Sequence, residues 1–118
     1  YYIAQPKGYE LDSRITKNAK ITYNQNEALE NADFVYAKNW ASYSNYGQIL
    51  KTDNEWMLTK EKMQITNNAK FMHCLPVRRK IIVSDEVLDN KNSLVIQQSN
   101  NRTFAAQSVI KLLIDGIS

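Results

Sequence analysis

The only cysteine and the only histidine of the chain stand side by side as His73-Cys74. The segment runs on through Leu75-Pro76-Val77 into the basic triplet Arg78-Arg79-Lys80. Two further cations draw notice. Lys38 directly follows the apolar run Phe34-Val35-Tyr36-Ala37, and Arg102 stands at the expected start of the last helix. A thiol next to an imidazole raises the question of nucleophilic catalysis. Adjacent residues of a strand point to opposite faces, however, so an i,i+1 pair is poorly placed for a Cys–His dyad. Taken one at a time, Cys74 reads as a small buried residue, His73 as structural, Lys38 as an exposed strand-end lysine and the triplet as a solvated loop. Their common feature is charge: cations that follow successive strands suit an anionic ligand. Arg102 sharpens the point. A cation at a helix start is mildly unfavourable against the dipole, unless an anion binds there and meets both the backbone N–H groups and the guanidinium.

The elements that must position these groups alternate between strand and helix. Tyr1 to Ala4 reads as a strand stopped by Gln5-Pro6. Leu11 and Ile15 predict a helix over Gly8 to Asn18, and Lys20 to Tyr23 is β-prone. Asn24 with Glu27 three residues on resembles a capping box, opening a short helix through Asn31. Phe34 to Ala37 is a strand, and Asn39 to Asn54, rich in Tyr and Ser, is irregular. A helix is expected over Leu58 to Asn68 and a strand over Lys70 to Cys74. A short helix, Asp85 to Leu88, is capped by Ser84. The fifth strand is Leu94-Val95-Ile96. The last helix, Thr103 to Asp115, gathers Phe104, Ala105, Val109, Leu112 and Leu113 on one face and ends at Gly116. This order predicts an α/β protein: one three-layer αβα, Rossmann-like domain over residues 1–118, with a parallel sheet of about five strands. Such sheets bind ligands at the carboxyl ends of their strands. That rule selects Gln5-Pro6, Lys38-Asn39-Trp40, His73 to Pro76 with the basic triplet, and Gln97 to Arg102.

Composition bounds the function. The 118 residues allow one domain with a core and not two. Fifteen Lys and Arg against twelve Asp and Glu give a net charge of +3, too mild and too scattered for a polynucleotide partner. No apolar run approaches the roughly 18–20 residues of a membrane span. One cysteine rules out an internal disulfide, and with one histidine a closed Cys/His zinc site is out of reach. No GxGxxG or P-loop is present, so nucleotide binding through a glycine-rich turn is not expected. No metal or cofactor is expected, and a reduced, cytoplasmic setting is the default. The chain opens on a strand without an initiator Met, as a piece of a longer protein would.

The run Phe71-Met72-His73-Cys74-Leu75-Pro76-Val77-Arg78-Arg79 resembles the His-Cys-Leu-Pro segment of the carbamoyltransferases, and its Val-Arg-Arg extension resembles the branch that acts on N-acylated ornithine. Other segments agree in order and spacing: Asp33 to Trp40, Thr66-Asn67-Asn68-Ala69, and Asp85-Glu86-Val87 with Asn101-Arg102 downstream. The resemblance covers nearly the whole chain, and the run through Arg79 is its specific part.

The resemblance implies a two-domain enzyme of which this chain is the amino-acid-binding domain. The carbamoyl-phosphate domain, with its Ser-Thr-Arg-Thr-type loop, is absent, and the last helix packs back toward it. Such enzymes form homotrimers with shared sites and use neither metal nor covalent intermediate. Cys74 and Leu75 match positions that contact carbamoyl phosphate. Arg102 matches the arginine that holds its carbonyl and phosphate oxygens, and with Cys74 makes the expected catalytic pair. Lys38 and Arg78 match positions that bind the acylated amino acid.

The chemistry implied is attack of a neutral δ-amine on the carbamoyl carbon, helped by positioning and by stabilisation of developing negative charge. Two departures from related patterns carry information, and a third, at Lys80, has no reading from the sequence. Lys38-Asn39-Trp40 replaces the Ser-Met-Gly loop with which ornithine enzymes read a free α-amine, and a cation there disfavours plain ornithine. Ile82 stands where the N-acetylornithine branch carries a carbamylated lysine. Lys80 stands where these enzymes often have Asn. The expectation is therefore the N-succinylornithine type, serving arginine biosynthesis and inactive as a fragment. The N-acetylornithine type and a non-catalytic small-ligand module are the alternatives.

Overall fold

Strand β4 (Lys70–His73) lies at the centre of the packing. In this computed structural model, which describes residues 1–42 and 54–116, Phe71 and His73 on one face of β4 are each only 1% exposed. Lys70 and Met72 on the other face are half-buried, the alternation a pleated strand imposes. Strand β3 (Phe34–Ala37) pairs parallel with β4, Phe34 opposite Lys70 and Ala37 opposite His73. Strand β1 (Tyr2–Ala4) pairs parallel with β2 (Lys20–Thr22), Tyr2 opposite Lys20. Among the described residues these form two separate two-stranded parallel sheets. The α/β class is as expected, and strand pairing among the described residues is limited to these two pairs and a few isolated bridges.

The helices are short except the last. Helix α1 (Gln25–Leu29) is capped by Asn24, whose Oδ1 accepts the Asn26 N–H at 3.1 Å. The anticipated capping box is displaced, because Glu27 accepts the Thr22 hydroxyl at 2.6 Å. The chain leaves α1 before Asn31, which takes a left-handed φ of 56°. Helix α2 (Lys60–Met63) is capped by Thr59, and helix α3 (Asp85–Leu88) starts after Ser84 where expected, although the Ser84 side chain makes no capping hydrogen bond among the described residues. The core joins Leu29, Leu58, Phe71, Val83, Val87, Leu88 and Val95, with Val35, Ala37, Met63, Leu75 and Val77 packed at its margin.

Four expectations require correction. Gly8 to Asn18 is a succession of turns and not a helix, with Tyr9 N–H bonded to Pro6 O, Ile15 N–H to Asp12 O and Ala19 N–H to Thr16 O. The Asp12 carboxylate captures both the N–H and the guanidinium of Arg14, a local alternative to helical bonding. The helix over Leu58 to Asn68 shrinks to α2, because Leu58 is extended and bridges Val83, while Thr66 bonds its hydroxyl back to Met63 O at 2.7 Å.

The fifth strand contracts to a bridge between Ser93 and Phe71, made by Phe71 N–H on Asn92 O at 2.9 Å and Leu94 N–H on Phe71 O at 2.8 Å. The last helix, α4 (Val95–Asp115), therefore begins at Val95 and not at Thr103. A three-residue apolar run is equally a buried helix start, and periodicity alone does not separate the two. Val95 is the buried residue of α4, whereas Phe104, Val109, Leu112 and Leu113 are all more than half exposed. Much of the Tyr- and Ser-rich stretch, including Tyr43, Tyr46 and Gly47, lies outside the described residues. No described helix is long and apolar enough to cross a membrane.

Candidate functional site

Parallel strands deliver the residues that follow them to the same edge of a sheet. The β3–β4 register sets Ala37 opposite His73, so Lys38 and Cys74 leave that edge together. Lys38 Nζ donates to Cys74 Sγ at 3.0 Å. One residue further on, Asn39 Nδ2 donates to the Pro76 carbonyl at 3.0 Å, tying the two loops a second time. The hydrogen bond from Lys38 holds the Cys74 thiol below the ordinary cysteine range, with the Tyr36 hydroxyl adding to the effect against partial burial. The same contact raises the Lys38 ammonium above its ordinary value. Tyr36 Oη also accepts Gln98 Nε2 at 3.2 Å, which links the first turn of α4 to this edge. Leu75 turns inward and packs against the core.

The remaining candidates stand differently. Arg78 is exposed, and its side chain makes no hydrogen bond or ion pair with another described residue. Arg102 is exposed too, but it lies about two turns inside α4 and not at its start. The argument from converging N–H groups therefore does not hold for Arg102, because the free amide donors of α4 belong to its first turn. Thus Lys38, Cys74 and Leu75 are gathered by the two strand ends, Arg78 follows on the same loop, and Arg102 comes from a separate element.

Arg79 is engaged elsewhere. Its guanidinium donates to Asp89 at 2.7 and 2.8 Å and to Asp85 at 2.8 Å. Lys80 has a φ of 59°, a left-handed conformation that asparagine adopts far more readily than lysine. Asn39, Tyr36 and Gln98 had no assigned role in the sequence reading. Position after a strand was a signal for Asn39, but the Tyr36–Gln98 contact spans 62 residues and has no local signature.

His73 does not pair with Cys74. It faces the core, and both ring nitrogens are buried without a hydrogen-bond partner among the described residues. Burial pushes its pKa below the usual 6.5; the nearby Cys74 backbone opposes this and the Lys38 charge adds to it. The unfolded chain therefore takes up a proton first as pH falls. The stability that the neutral ring permits is complete above about pH 6.5 and declines below it. Urea midpoints of this chain should fall between pH 7 and 5.5, and His73→Leu should flatten that slope. An unchanged slope in the variant would assign the pH dependence to other groups.

Residues 1–113 match the family model described as aspartate/ornithine carbamoyltransferase, Asp/Orn binding domain. The chain belongs to the aspartate/ornithine carbamoyltransferase family. Among its relatives, the N-succinylornithine carbamoyltransferase of Bacteroides thetaiotaomicron is 51% identical over 99% of this chain and 37% of that protein. The enzyme of the same name from Bacteroides fragilis is 50% identical over the same shares. A crystal structure of N-acetyl-L-ornithine transcarbamylase superposes with a TM-score of 0.74 at 27% identity, covering 86% of this chain and 36% of that one. The chain thus spans little more than a third of the length of these two relatives. Its Asp/Orn binding domain is the part in which Lys38 and Cys74 meet.

Proposed function

We propose that this chain is the acceptor-binding domain of an N-succinylornithine carbamoyltransferase. The enzyme would transfer the carbamoyl group from carbamoyl phosphate to the δ-amine of N-succinylornithine in arginine biosynthesis. The observation that carries the reading is the 3.0 Å contact between Lys38 and Cys74. One residue is assigned to the acylated amino acid and the other to carbamoyl phosphate, so their contact brings the two substrates to adjacent positions. Identity near one half to two enzymes bearing that name supports the succinyl acceptor over the acetyl one. So does Ile82, which is buried at 3% exposure where a reactive lysine would otherwise stand.

In this reading Lys38 and Arg78 hold the acceptor's carboxylates, and Cys74 and Leu75 border the carbamoyl group. The δ-amine forms a C–N bond to the carbamoyl carbon, the C–O bond to phosphate breaks, and the departing phosphate takes up the proton that the amine releases. Arg102 stabilises the negative charge that develops on the carbonyl and phosphate oxygens. A carbamoyl-phosphate domain outside this chain completes the site, and the working unit is a cytoplasmic homotrimer. The two strand pairs form parts of one parallel sheet in the order β2-β1-β3-β4, with Ser93 marking a fifth position. In support, β1 and β3 line one cavity of about 640 Å³, and Ser93 already bridges the far side of β4.

The test is a carbamoyl-transfer assay on the full-length parent, offering carbamoyl phosphate with N-succinylornithine, N-acetylornithine and ornithine side by side. Turnover of the succinyl compound is expected. Turnover of the acetyl compound alone would move the assignment to that branch, and no turnover of any acceptor would reject it.

A further inference from the structure

We propose that Arg79 is a positioning residue that holds Arg78 in place for the acylated acceptor, acting through a clamp on α3 rather than by touching substrate. The inference rests on the acceptor-binding reading given above.

The two arginines are neighbours in sequence, yet only one is engaged. The Arg79 guanidinium spans Asp85 and Asp89, one helical turn apart at the two ends of α3, with three hydrogen bonds of 2.7 to 2.8 Å. Two of them form a fork on Asp89, the geometry a planar guanidinium is suited to. The hydrogen bonds from Arg79 hold both carboxyls below the ordinary aspartate range. Lys80 approaches Asp85 more loosely, at 3.5 Å, and does not share the fork.

The backbone around the clamp is anchored on its far side. Ile82 N–H bonds to Arg78 O at 3.0 Å, and Lys80 N–H bonds to Val83 O at 2.8 Å. Ile82 and Val83 are buried, and Leu58 N–H bonds to Ile82 O. On the near side, Asn39 holds the Pro76 carbonyl. Between these anchors Pro76, Arg78 and Arg79 are exposed and Val77 packs at the core margin; the Arg79 clamp is the closest polar side-chain tie of this stretch to the body of the domain among the described residues. Without it, the Arg78 backbone has fewer restraints on its direction. Small misplacements of a binding group are felt strongly in catalysis.

The experiment compares wild type, Arg79→Ala, Arg79→Lys and Asp89→Asn in the full-length enzyme. Wild-type turnover of N-succinylornithine must be seen first; its absence would reject the functional reading and not this one. With turnover present, Arg79→Ala should raise KM for the acceptor on the order of tenfold, with KM for carbamoyl phosphate little changed. Asp89→Asn should move the acceptor KM in the same direction while leaving Arg79 intact. Arg79→Lys should recover part of the loss, since it keeps the charge and loses the fork. An acceptor KM unchanged in both Arg79→Ala and Asp89→Asn would overturn the proposal. So would equal losses for both substrates accompanied by a lower melting temperature, which is what a merely structural role would give.

Discussion

Phe71→Ala should destabilise this domain by roughly 3–5 kcal/mol, the usual cost of emptying a buried phenylalanine site. Against the roughly 5–15 kcal/mol that holds a domain together, that is a large share of the total, and at the low end of the range it nearly abolishes the folded state. The expectation comes from where Phe71 sits. Its side chain is 1% exposed, and it packs among Leu58, Val83, Val87 and Val95. Its backbone meanwhile bonds Asn92 and Leu94, in a strand whose other edge carries β3. The surrounding elements therefore have little freedom to collapse into the vacated space, the condition under which cavity costs are large. Urea unfolding followed by circular dichroism should show the midpoint drop. Phe71→Leu, which keeps much of the volume, should cost about 1.5 kcal/mol or less. Equal midpoints for wild type and Phe71→Ala would mean that β4 is not the centre of the core.

Lys38→Met carries the second large effect, this time on function. In the complete enzyme it should lower kcat/KM for N-succinylornithine by roughly one to two orders of magnitude, the range expected when a charged hydrogen bond is removed. Plain ornithine, whose free α-ammonium gains nothing from a facing lysine, should lose little. The same variant removes the group that holds the Cys74 thiol below its ordinary range. Alkylation of Cys74 should therefore need a higher pH in Lys38→Met than in wild type. A succinylornithine rate that survives while alkylation slows would separate the Lys38–Cys74 contact from acceptor binding. It would send the search for the carboxylate partner to Arg78.

What the sequence made legible follows a physical division. Strands β3 and β4 were readable because each is a short apolar run bounded by a polar or breaking residue, and their parallel pairing then brings Lys38 to Cys74. The separation of His73 from Cys74 was readable from the pleat alone. The turns of residues 8–19 were not, because they depend on Asp12 capturing Arg14, and Leu11 and Ile15 offered the same spacing as a helix. The start of α4 was not, because Leu94-Val95-Ile96 suits a buried strand and a buried helical turn equally. Its outcome turns on Phe71 claiming only the bonds at Asn92 and Leu94. Placing Arg102 at a helix start failed for that reason. The different fates of Arg78 and Arg79 were hidden as well, since the carboxylates that distinguish them become neighbours only once α3 forms.

Helix α4 has one further consequence. It is held to the domain by its first turn, through Val95 and Gln98, while residues 101–116 are exposed. At 1.5 Å per residue, that outer stretch reaches roughly 20 Å beyond its attachment. Chemically similar substitutions at Leu88 and at Leu112 would then be felt differently. A change at Leu88 acts on the folding of the domain, and a change at Leu112 leaves its core untouched. Variation along the outer half of α4 is not constrained by the core of this domain, whereas variation around β4 records the demands of folding.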